Sequence, residues 1–381
     1  MKSHVHGTAK TLSLLSALVT TCISIHAQTP KIPMGMDLGT SSYWDEQLAF
    51  SNLMQNASPW STADAGFGEK TDLRDRLETD ANGYPLQVPS PVAGYADQEV
   101  ECQLPRNYPP GRYVVTYEGT GELHFWNVSV VSAEPQNNRY VIDMQMQGNH
   151  SAMWIIRSEL GDHVRDIRIL PEADEGKDVY AEPFFQPFLD ALEPFQCIRY
   201  MGFMLINSNH IEHWEDRVLP TSYCQQNDVS IEYCIQLSNT LGCDGWFCIP
   251  AQADTNYIRQ YARLVRDQMN PELTVYLEYT NEHWNWAPGF DQFHWIRNNE
   301  WAQATYGAQY GWTHGENVSG KYAALSSRAF EIWLEEFGPE HRDRLVRVAA
   351  GFHFNPGVAN EVLGFLFDGN GGCDAWTAGG Y

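Results

Sequence analysis

Positive charge is scarce in this sequence, and the short motifs of several common enzyme classes are missing from it. Lys and Arg total 24 against 48 Asp and Glu, which gives a formal net charge of −24. Such a surface repels nucleic acid and anionic lipid, so we expect no nucleic-acid partner and no membrane insertion. No Walker loop, G-x-G-x-x-G, G-x-S-x-G or C-x-x-C pattern occurs, so nucleotide chemistry, serine-hydrolase chemistry and a zinc ribbon have no support.

The first 27 residues are predicted to be a signal peptide. A weakly basic start precedes an apolar stretch at 12–25, which is too short to span a bilayer comfortably, and Ala27 is a small residue before a plausible cut. We therefore expect a mature protein that begins near Gln28 and is secreted, either extracellular or periplasmic. A lipoprotein cut before Cys22 and a buried N-terminal helix are the alternatives.

The pattern of apolar residues changes along the chain and predicts two kinds of sheet. Short β-type segments separated by turn residues fill residues 99–170, which indicates a small antiparallel β-sandwich. After it, helical and strand patterns alternate, which is typical of a parallel sheet with helical crossovers. Counting an early strand at 34–39, we predict six parallel strands, and the sequence ends on the sixth.

These patterns predict an α/β fold, a TIM (β/α)8-type barrel truncated after strand 6, with an inserted small antiparallel β-sandwich. Residues 28–60 would form the first barrel βα unit, 61–180 a loop plus the β-sandwich, and 181–381 the remaining barrel units, strands 2 to 6. A barrel of this type closes with eight strands, so we expect the sequence to be a fragment that lacks the last two βα units. A complete open α/β sheet is the alternative.

The segment 277–285, Leu-Glu-Tyr-Thr-Asn-Glu-His-Trp-Asn, carries the most chemical information. It lies at the carboxyl end of the predicted fourth strand, where barrel enzymes keep their catalytic groups. A glycosidic oxygen must be protonated as its bond breaks, and a carboxylic acid with a raised pKa can do this while a second carboxylate attacks the sugar or activates water. Glu282 is the candidate acid, and a salt-bridged carboxylate at a strand end is the alternative.

The Asn281-Glu282 pair resembles the acid/base motif of clan A glycoside hydrolases, the cellulase-type barrels. Arg199 on strand 2 is similar to the arginine that steadies the nucleophile in that family. His353 at the end of strand 5 and Tyr381 at the end of strand 6 resemble the His and Tyr that line its sugar subsite.

Three segments, 198–203, 245–250 and 276–285, resemble an uncharacterised bacterial branch that is often labelled cellulose-binding and has a β-sandwich inserted early in the barrel. The resemblance covers most of residues 34–381. It implies a secreted retaining glycoside hydrolase that cleaves a β-linked polysaccharide or oligosaccharide, with Glu282 as acid/base and Asn281 bonded to the sugar 2-hydroxyl.

The family's nucleophile sits on strand 7, which this sequence does not reach, and this weighs against activity of the fragment alone. Glu278 is a poor substitute, because four residues of extended strand place it about 13 Å from Glu282, whereas a retaining pair needs about 5 Å. Asp37 could serve an inverting mechanism. Arg199 is as readily an ion pair inside the barrel as a functional residue, and a non-catalytic carbohydrate-binding protein is the second hypothesis for the whole chain.

Several tryptophans follow the predicted strands closely and are candidate platforms for sugar rings, although packing in the core explains each equally well. They are Trp214, Trp246, Trp284 and Trp286. His210 and His213 could bind one ion only if their loop were helical, and no third ligand is evident. We therefore expect no metal and no cofactor.

Overall fold

The computed structural model describes residues 31–145, 150–226 and 228–379. The predicted signal peptide, residues 1–27, and the candidate Tyr381 lie outside these ranges. The described strands, in chain order, are β1 Ile32–Asp37, β2 Ser61–Asp64, β3 Lys70–Thr71, β4 Gln98–Leu104, β5 Gly111–Glu118, β6 Gly121–Trp126, β7 Ser129–Glu134, β8 Arg139–Met144, β9 Ser151–Ser158, β10 Arg165–Pro171, β11 Phe195–Arg199, β12 Asp244–Ile249, β13 Val275–Tyr279, β14 Leu345–Phe352 and β15 Ala375–Gly379. The α-helices are α1 Gln186–Leu192, α2 Ile231–Leu241, α3 Thr255–Gln268, α4 Asp291–Arg297, α5 Glu300–Tyr310, α6 Val318–His341 and α7 Pro356–Leu366.

Six of these strands form one parallel sheet in the order β1-β11-β12-β13-β14-β15. Each neighbouring pair is parallel, and the helices between consecutive strands provide the crossovers. In the register of the first three strands, Asp37 lies beside Arg199, and Arg199 lies beside Trp246. The six parallel strands that the sequence pattern predicted are therefore present, and they are neighbours in sequence order.

The predicted fold class, a TIM (β/α)8-type barrel truncated after strand 6 with an inserted β-sandwich, is wrong. Within the described ranges β1 and β15 each pair with one strand, so the parallel sheet stays open. Residues of both β1 and β15 nevertheless line one cavity together with the central strands, so the sheet curls into half a barrel. Closure requires the first and last strands to hydrogen-bond at a fixed stagger, and these two edges do not meet. The architecture is a curled parallel sheet plus two antiparallel sheets.

The two antiparallel sheets enclose a hydrophobic core of their own. Their strand orders are β10-β5-β8-β7 and β3-β2-β4-β9-β6. Side chains alternate along each strand, so that Leu123 and Phe125 of β6 are buried while His124 and Trp126 face outward. The core combines residues such as Val115 of one sheet with Leu123 of the other. This arrangement leaves one outward face on each sheet.

A larger core lies between the parallel sheet and its helices. In α3 the buried residues follow helical spacing, and Asp254 caps the helix by accepting a hydrogen bond from the backbone N–H of Tyr257 at 2.7 Å. Helix α6 is interrupted at Gly338, which has φ 63°, immediately before Pro339. Since the helices cover one face of the sheet, the concave face remains free for a site. No helix in the described ranges combines the length and apolar character needed to cross a membrane.

The apolar residues of segment 44–54 are spaced as in an amphipathic helix, which predicts one there, but the structure does not form it. Only the short 3-10 helix Leu53–Asn56 forms there, and Trp44 is 50% exposed rather than packed in a core. The apolar residues of this segment serve two cores instead: Phe50 is buried with the parallel sheet, whereas Leu53 is buried with the antiparallel sheets. A single helical stripe cannot face both, so tertiary packing overrides the local pattern.

Candidate functional site

A cavity of about 400 Å³ opens on the concave face of the parallel sheet. Residues from all six strands and from the loop after β13 line it, and three of them are carboxylates. The lining residues are Gly35, Met36, Asp37, Cys197, Arg199, Met201, Trp246, Glu278, Asn281, Glu282, Trp284, Ala350, Thr377 and Gly379. Six sequence-predicted site residues therefore meet here: Asp37, Arg199, Trp246, Asn281, Glu282 and Trp284.

Arg199 at the end of β11 connects two of the three carboxylates. Its Nη2 and Nε donate to Glu278 Oε2 at 2.8 and 3.2 Å, and its Nη1 donates to Asp37 Oδ2 at 2.8 Å. Burial disfavours the charge on Arg199, but the two carboxylates outweigh that effect and raise its pKa well above the usual value. Arg199 is therefore a permanent cation that offsets one of the two carboxylate charges it contacts.

Glu278 is the buried partner of this arginine. Glu278 is 1% exposed, and its Oε2 also accepts a hydrogen bond from Trp246 Nε1 at 2.9 Å. Its second oxygen, Oε1, has no hydrogen-bond partner in the described part of the chain. With three N–H donors on one oxygen, Glu278 is held in place as the buried member of the ion pair.

Asp37 is the more accessible of the two carboxylates held by Arg199, since 40% of its side chain is exposed. Partial burial raises the pKa of Asp37, and the charge and hydrogen bond of Arg199 oppose that shift without cancelling it. Asp37 thus faces the cavity from the edge strand β1 as a carboxylate that protonates more readily than an ordinary aspartate.

Glu282 reaches the cavity because the chain turns sharply after β13. The strand ends at Tyr279, and Thr280 and Glu282 then adopt left-handed backbone conformations with φ 53° and 38°. The predicted separation of about 13 Å between Glu278 and Glu282 assumed an extended strand through both residues. The strand ends before Glu282, and both residues line the same cavity. Asn285 Nδ2 donates to Glu282 Oε2 at 2.8 Å, which orients the half-buried carboxyl group.

Asn281 is fixed from behind by a network of amide side chains. Its Oδ1 accepts from Arg199 Nη2 at 3.1 Å, and its Nδ2 donates to Asn207 Oδ1 at 3.0 Å. Gln292 Nε2 donates both to Asn207 Oδ1 at 2.9 Å and to the backbone carbonyl of Asn281 at 2.8 Å. Sequence analysis did not identify Asn207 or Gln292, because the loop that carries Asn207 and helix α4, which carries Gln292, meet only in the folded chain.

Two of the four candidate tryptophans line the cavity. Trp246 stacks on Tyr276 with ring centroids 5.7 Å apart, and Trp284 stacks on Phe352 at 5.9 Å. Each indole therefore has one side supported by a second aromatic ring. This support holds both rings in place at the cavity wall, as a sugar platform requires.

The remaining candidates lie elsewhere. Trp214 contacts Tyr257 edge-on, with the Arg217 guanidinium 3.8 Å from its ring centroid, and it does not line the cavity. Trp286 is 73% exposed and also lies outside the lining. His353 is exposed at the end of β14, where its Nδ1 contacts the carbonyl of Gly379.

The two histidines considered as possible metal ligands, His210 and His213, contact different carboxylates. His210 Nε2 lies 3.2 Å from Asp291 Oδ2, whereas His213 Nδ1 lies 2.9 Å from Asp254 Oδ2. Over the ranges that the structure describes, no group of three or more His, Cys, Asp or Glu side chains is arranged to hold a metal ion.

His283, between the site residues Glu282 and Trp284, has an unusual environment that the sequence did not indicate. It is fully buried and stacks on Tyr322 with ring centroids 3.8 Å apart. Neither ring nitrogen has a hydrogen-bond partner among the described residues. Burial lowers the pKa of His283 to about 3, so this ring is neutral at physiological pH.

Comparisons with known proteins add little to this geometry. No family model matches the sequence, and no curated protein matches it significantly. Among solved structures, the chain is similar to the crystal structure of a beta-glucosidase from Kluyveromyces marxianus in complex with glucose, with 6% identity and a TM-score of 0.17. The match covers 57% of this chain and 23% of that chain, so the chain spans about a quarter of the enzyme's length. A similarity this weak, although to a glycosidase, carries no argument about fold or function.

Proposed function

We propose that this protein binds a neutral saccharide in the cavity of the parallel sheet and hydrolyses a glycosidic bond there, with Glu282 as the acid. One observation carries the proposal: of the three carboxylates that line the cavity, Glu282 is the one that Arg199 does not hold. Its only hydrogen-bond partner among the described side chains is the neutral amide of Asn285. A carboxyl group in that position can present a proton to a bound ligand.

The surrounding side chains suit a sugar. Trp284 offers an apolar face to the C–H face of a sugar ring, whereas the Trp246 ring is flanked by Tyr276 and by the Arg199 guanidinium, 5.4 Å from its centroid. The Asn281 side chain uses one N–H and one lone pair in its network, which leaves an N–H and a lone pair for a sugar hydroxyl. Arg199 offsets one of the three carboxylate charges that line the cavity, so an anion is disfavoured, whereas an uncharged ligand can bind through hydrogen bonds and ring contacts.

The second carboxylate decides the stereochemistry. Asp37 faces the cavity and could activate water, which would invert the configuration of the anomeric carbon, whereas the sequence resemblance implies retention. The configuration of the first product, followed by proton NMR, distinguishes these alternatives. Export through the predicted signal peptide would bring either enzyme to polysaccharides outside the cell.

The decisive test is reducing-sugar release from a panel of β-linked polysaccharides by wild type, Glu282→Gln and Glu316→Gln. Loss of the general acid should lower the rate by roughly 100-fold or more. Glu316 is an exposed carboxylate away from the cavity, so Glu316→Gln should keep the wild-type rate. Equal rates in wild type and Glu282→Gln would show that Glu282 is not the acid.

A second candidate function is saccharide binding without cleavage. The observation in its favour is that Arg199 holds both Glu278 and Asp37, which leaves Glu282 without a free carboxylate partner in the described cavity. Binding of an oligosaccharide that depends on Trp284, with no sugar released from any polymer, would establish this function and reject hydrolysis.

A further inference from the structure

A second concave surface lies on the outward face of the five-stranded antiparallel sheet, away from the parallel sheet's cavity. We call it the outer aromatic face, and its residues are Phe67, Lys70, Glu101, Gln103, His124, Trp126, Ala152 and Trp154. It encloses about 480 Å³. A pocket of this size with apolar walls and a few polar groups is typical of small-ligand sites.

The face follows from strand alternation and register. Trp126 of β6 lies beside Ala152 of β9, which lies beside Gln103 of β4. In the neighbouring row, His124 lies beside Trp154. Because Ala152 has only a methyl group between the indole and the amide, it leaves a depression that exposes one side of the Trp126 ring.

Trp126 is the most exposed tryptophan of this surface. It is 56% exposed, whereas Trp154 is 8% exposed because Phe67 and Lys70 cover it. Trp126 thus lies beside the buried Trp154 ring, while its own ring is exposed and free to contact a ligand. An exposed large aromatic in the wall of a concave patch is a frequent mark of a binding site.

Phe67 is held in a strained backbone conformation that shapes the patch. Its φ is 58°, which is rare for a bulky residue. The backbone N–H groups of Gly66 and Phe67 both donate to the carboxylate of Glu99, at 2.9 and 3.3 Å, and this fixes the turn. The ring then packs edge-on against both His124 and Trp154. Such strain persists only where the surrounding contacts impose it, and it often accompanies a functional surface.

The charges on this face cancel. Lys70 and Glu101 form an ion pair, and Lys70 Nζ lies 4.7 Å from the centroid of the Trp154 ring. Glu101 is also fixed by Ser61, whose Oγ donates to Glu101 Oε1 at 3.1 Å. The patch therefore combines planar apolar rings with hydrogen-bonding groups and has no net charge to attract an ionic ligand.

We propose that the outer aromatic face binds a neutral saccharide, with a sugar ring stacked on Trp126 and its hydroxyls bonded to Gln103 and His124. A peptide would be expected to pair with the backbone of the edge strand β6, whereas these side chains stand over the face of β4, β9 and β6. This site is separate from the parallel sheet's cavity, and the inference does not depend on the proposed hydrolysis.

The test is isothermal titration of cellohexaose, xylohexaose, mannohexaose and laminarihexaose into wild type, Trp126→Ala and Trp44→Ala. Removal of the stacking ring should weaken binding of at least one probe by roughly tenfold or more. Trp44 is 50% exposed but lies on neither surface, so Trp44→Ala should bind as wild type does. Thermal melting of each variant checks that the fold is intact.

The same titrations in Glu282→Gln separate the two proposals. Binding that Trp126→Ala abolishes and Glu282→Gln retains supports the outer site, even if no polysaccharide is ever cleaved. If all four probes fail to bind, or if Trp126→Ala binds them as tightly as wild type, the outer site is rejected whether or not hydrolysis is observed. Concentration-dependent dimerisation that Trp126→Ala abolishes would also reject it, since the face would then be a contact between copies of the chain.

Discussion

The ion pair of Arg199 with Glu278 stabilises the cavity floor, because each partner would otherwise be a charge removed from water. Glu278 is 1% exposed, and the Arg199 side chain is 18% exposed. We expect Arg199→Met to lower the free energy of unfolding by about 3–5 kcal/mol, since it leaves a buried carboxylate without its counter-ion. The double variant Arg199→Met, Glu278→Met should recover most of that loss, as urea denaturation can measure.

Asp37→Asn is the matched control for this pair. It removes the more exposed carboxylate held by the same arginine and should cost about 1 kcal/mol or less. If Arg199→Met costs no more than Asp37→Asn, or if the double variant is as unstable as the single one, Glu278 is not a charged partner of Arg199.

His283 should make stability depend on pH. Its pKa in the folded protein is about 3, below the value near 6.5 of an unfolded chain, so between these values the unfolded state binds more protons. Stability is therefore fully present above pH 6.5 and is lost as pH falls towards 3. We expect wild type to lose about 3 kcal/mol more than His283→Phe between pH 7 and pH 4, measured by urea denaturation at each pH.

Phenylalanine keeps the aromatic contact with Tyr322 and removes the titrating nitrogens. The same substitution at His314, which is exposed, should leave the pH dependence as it is in wild type. Parallel pH profiles for wild type and His283→Phe would mean that the folded protein accommodates the protonated ring.

At the scale of single residues, the local motif identified much of the candidate site. Asp37, Arg199, Asn281 and Glu282 were all named from their positions at predicted strand ends, and all four line the cavity. Trp214 was selected by the same rule but lies elsewhere, because closeness to a strand along the chain does not determine where a loop carries a side chain.

Two helical glycines should respond oppositely to the same substitution. Alanine is favoured over glycine in a helix by about 1 kcal/mol. At Gly364 in α7 nothing lies within 4 Å of an added Cβ, so Gly364→Ala should raise the free energy of unfolding by about 0.5–1 kcal/mol. At Gly320 in α6 the added Cβ would lie 2.6 Å from the Trp312 indole, so Gly320→Ala should lower it by about 1–3 kcal/mol.

Thermal and urea unfolding of both variants provide the measurement. A gain at both positions would mean that Trp312 moves aside at little cost. A loss at Gly364 would mean that this end of α7 needs the flexibility of glycine.

At the scale of elements, the pattern of apolar residues predicted the individual strands well, but it did not predict whether the parallel sheet closes into a barrel. The continuous apolar runs at 244–249 and 345–352, each between helical segments, predict buried parallel strands over those ranges, and β12 and β14 have the same bounds. Strand counting alone could not show that β1 and β15 remain apart. That depends on the curvature of the sheet, which arises from packing against the helices rather than from any one segment.

At the scale of the whole molecule, the residues from Lys31 onward form one compact unit although they contain two hydrophobic cores. The short segment 49–60 supplies Phe50 to one core and Leu53 and Trp60 to the other. Phe185 packs against both cores. Each core therefore depends on a segment that also supplies residues to the other core.

We therefore expect the two cores to unfold together. Differential scanning calorimetry should show a single transition, and near-ultraviolet and far-ultraviolet circular dichroism should change at the same temperature. The substitution Leu53→Ala, in the antiparallel core, should lower that single melting temperature without separating a second transition. Two resolved transitions in wild type would show that the cores are energetically independent.

The shared segment also limits how the protein can be recombined. A chimaera that replaced residues 61–180 with a foreign module would leave Leu53, Met54 and Ala57 behind on the recipient, with their partners removed. Conversely, the antiparallel sheets transplanted alone would expose the part of their hydrophobic core against which those side chains had packed. Any successful exchange must move residues 53–60 with the antiparallel sheets and leave Phe50 with the parallel sheet, so its first crossover point lies between residues 50 and 53 rather than at the apparent start of the strands.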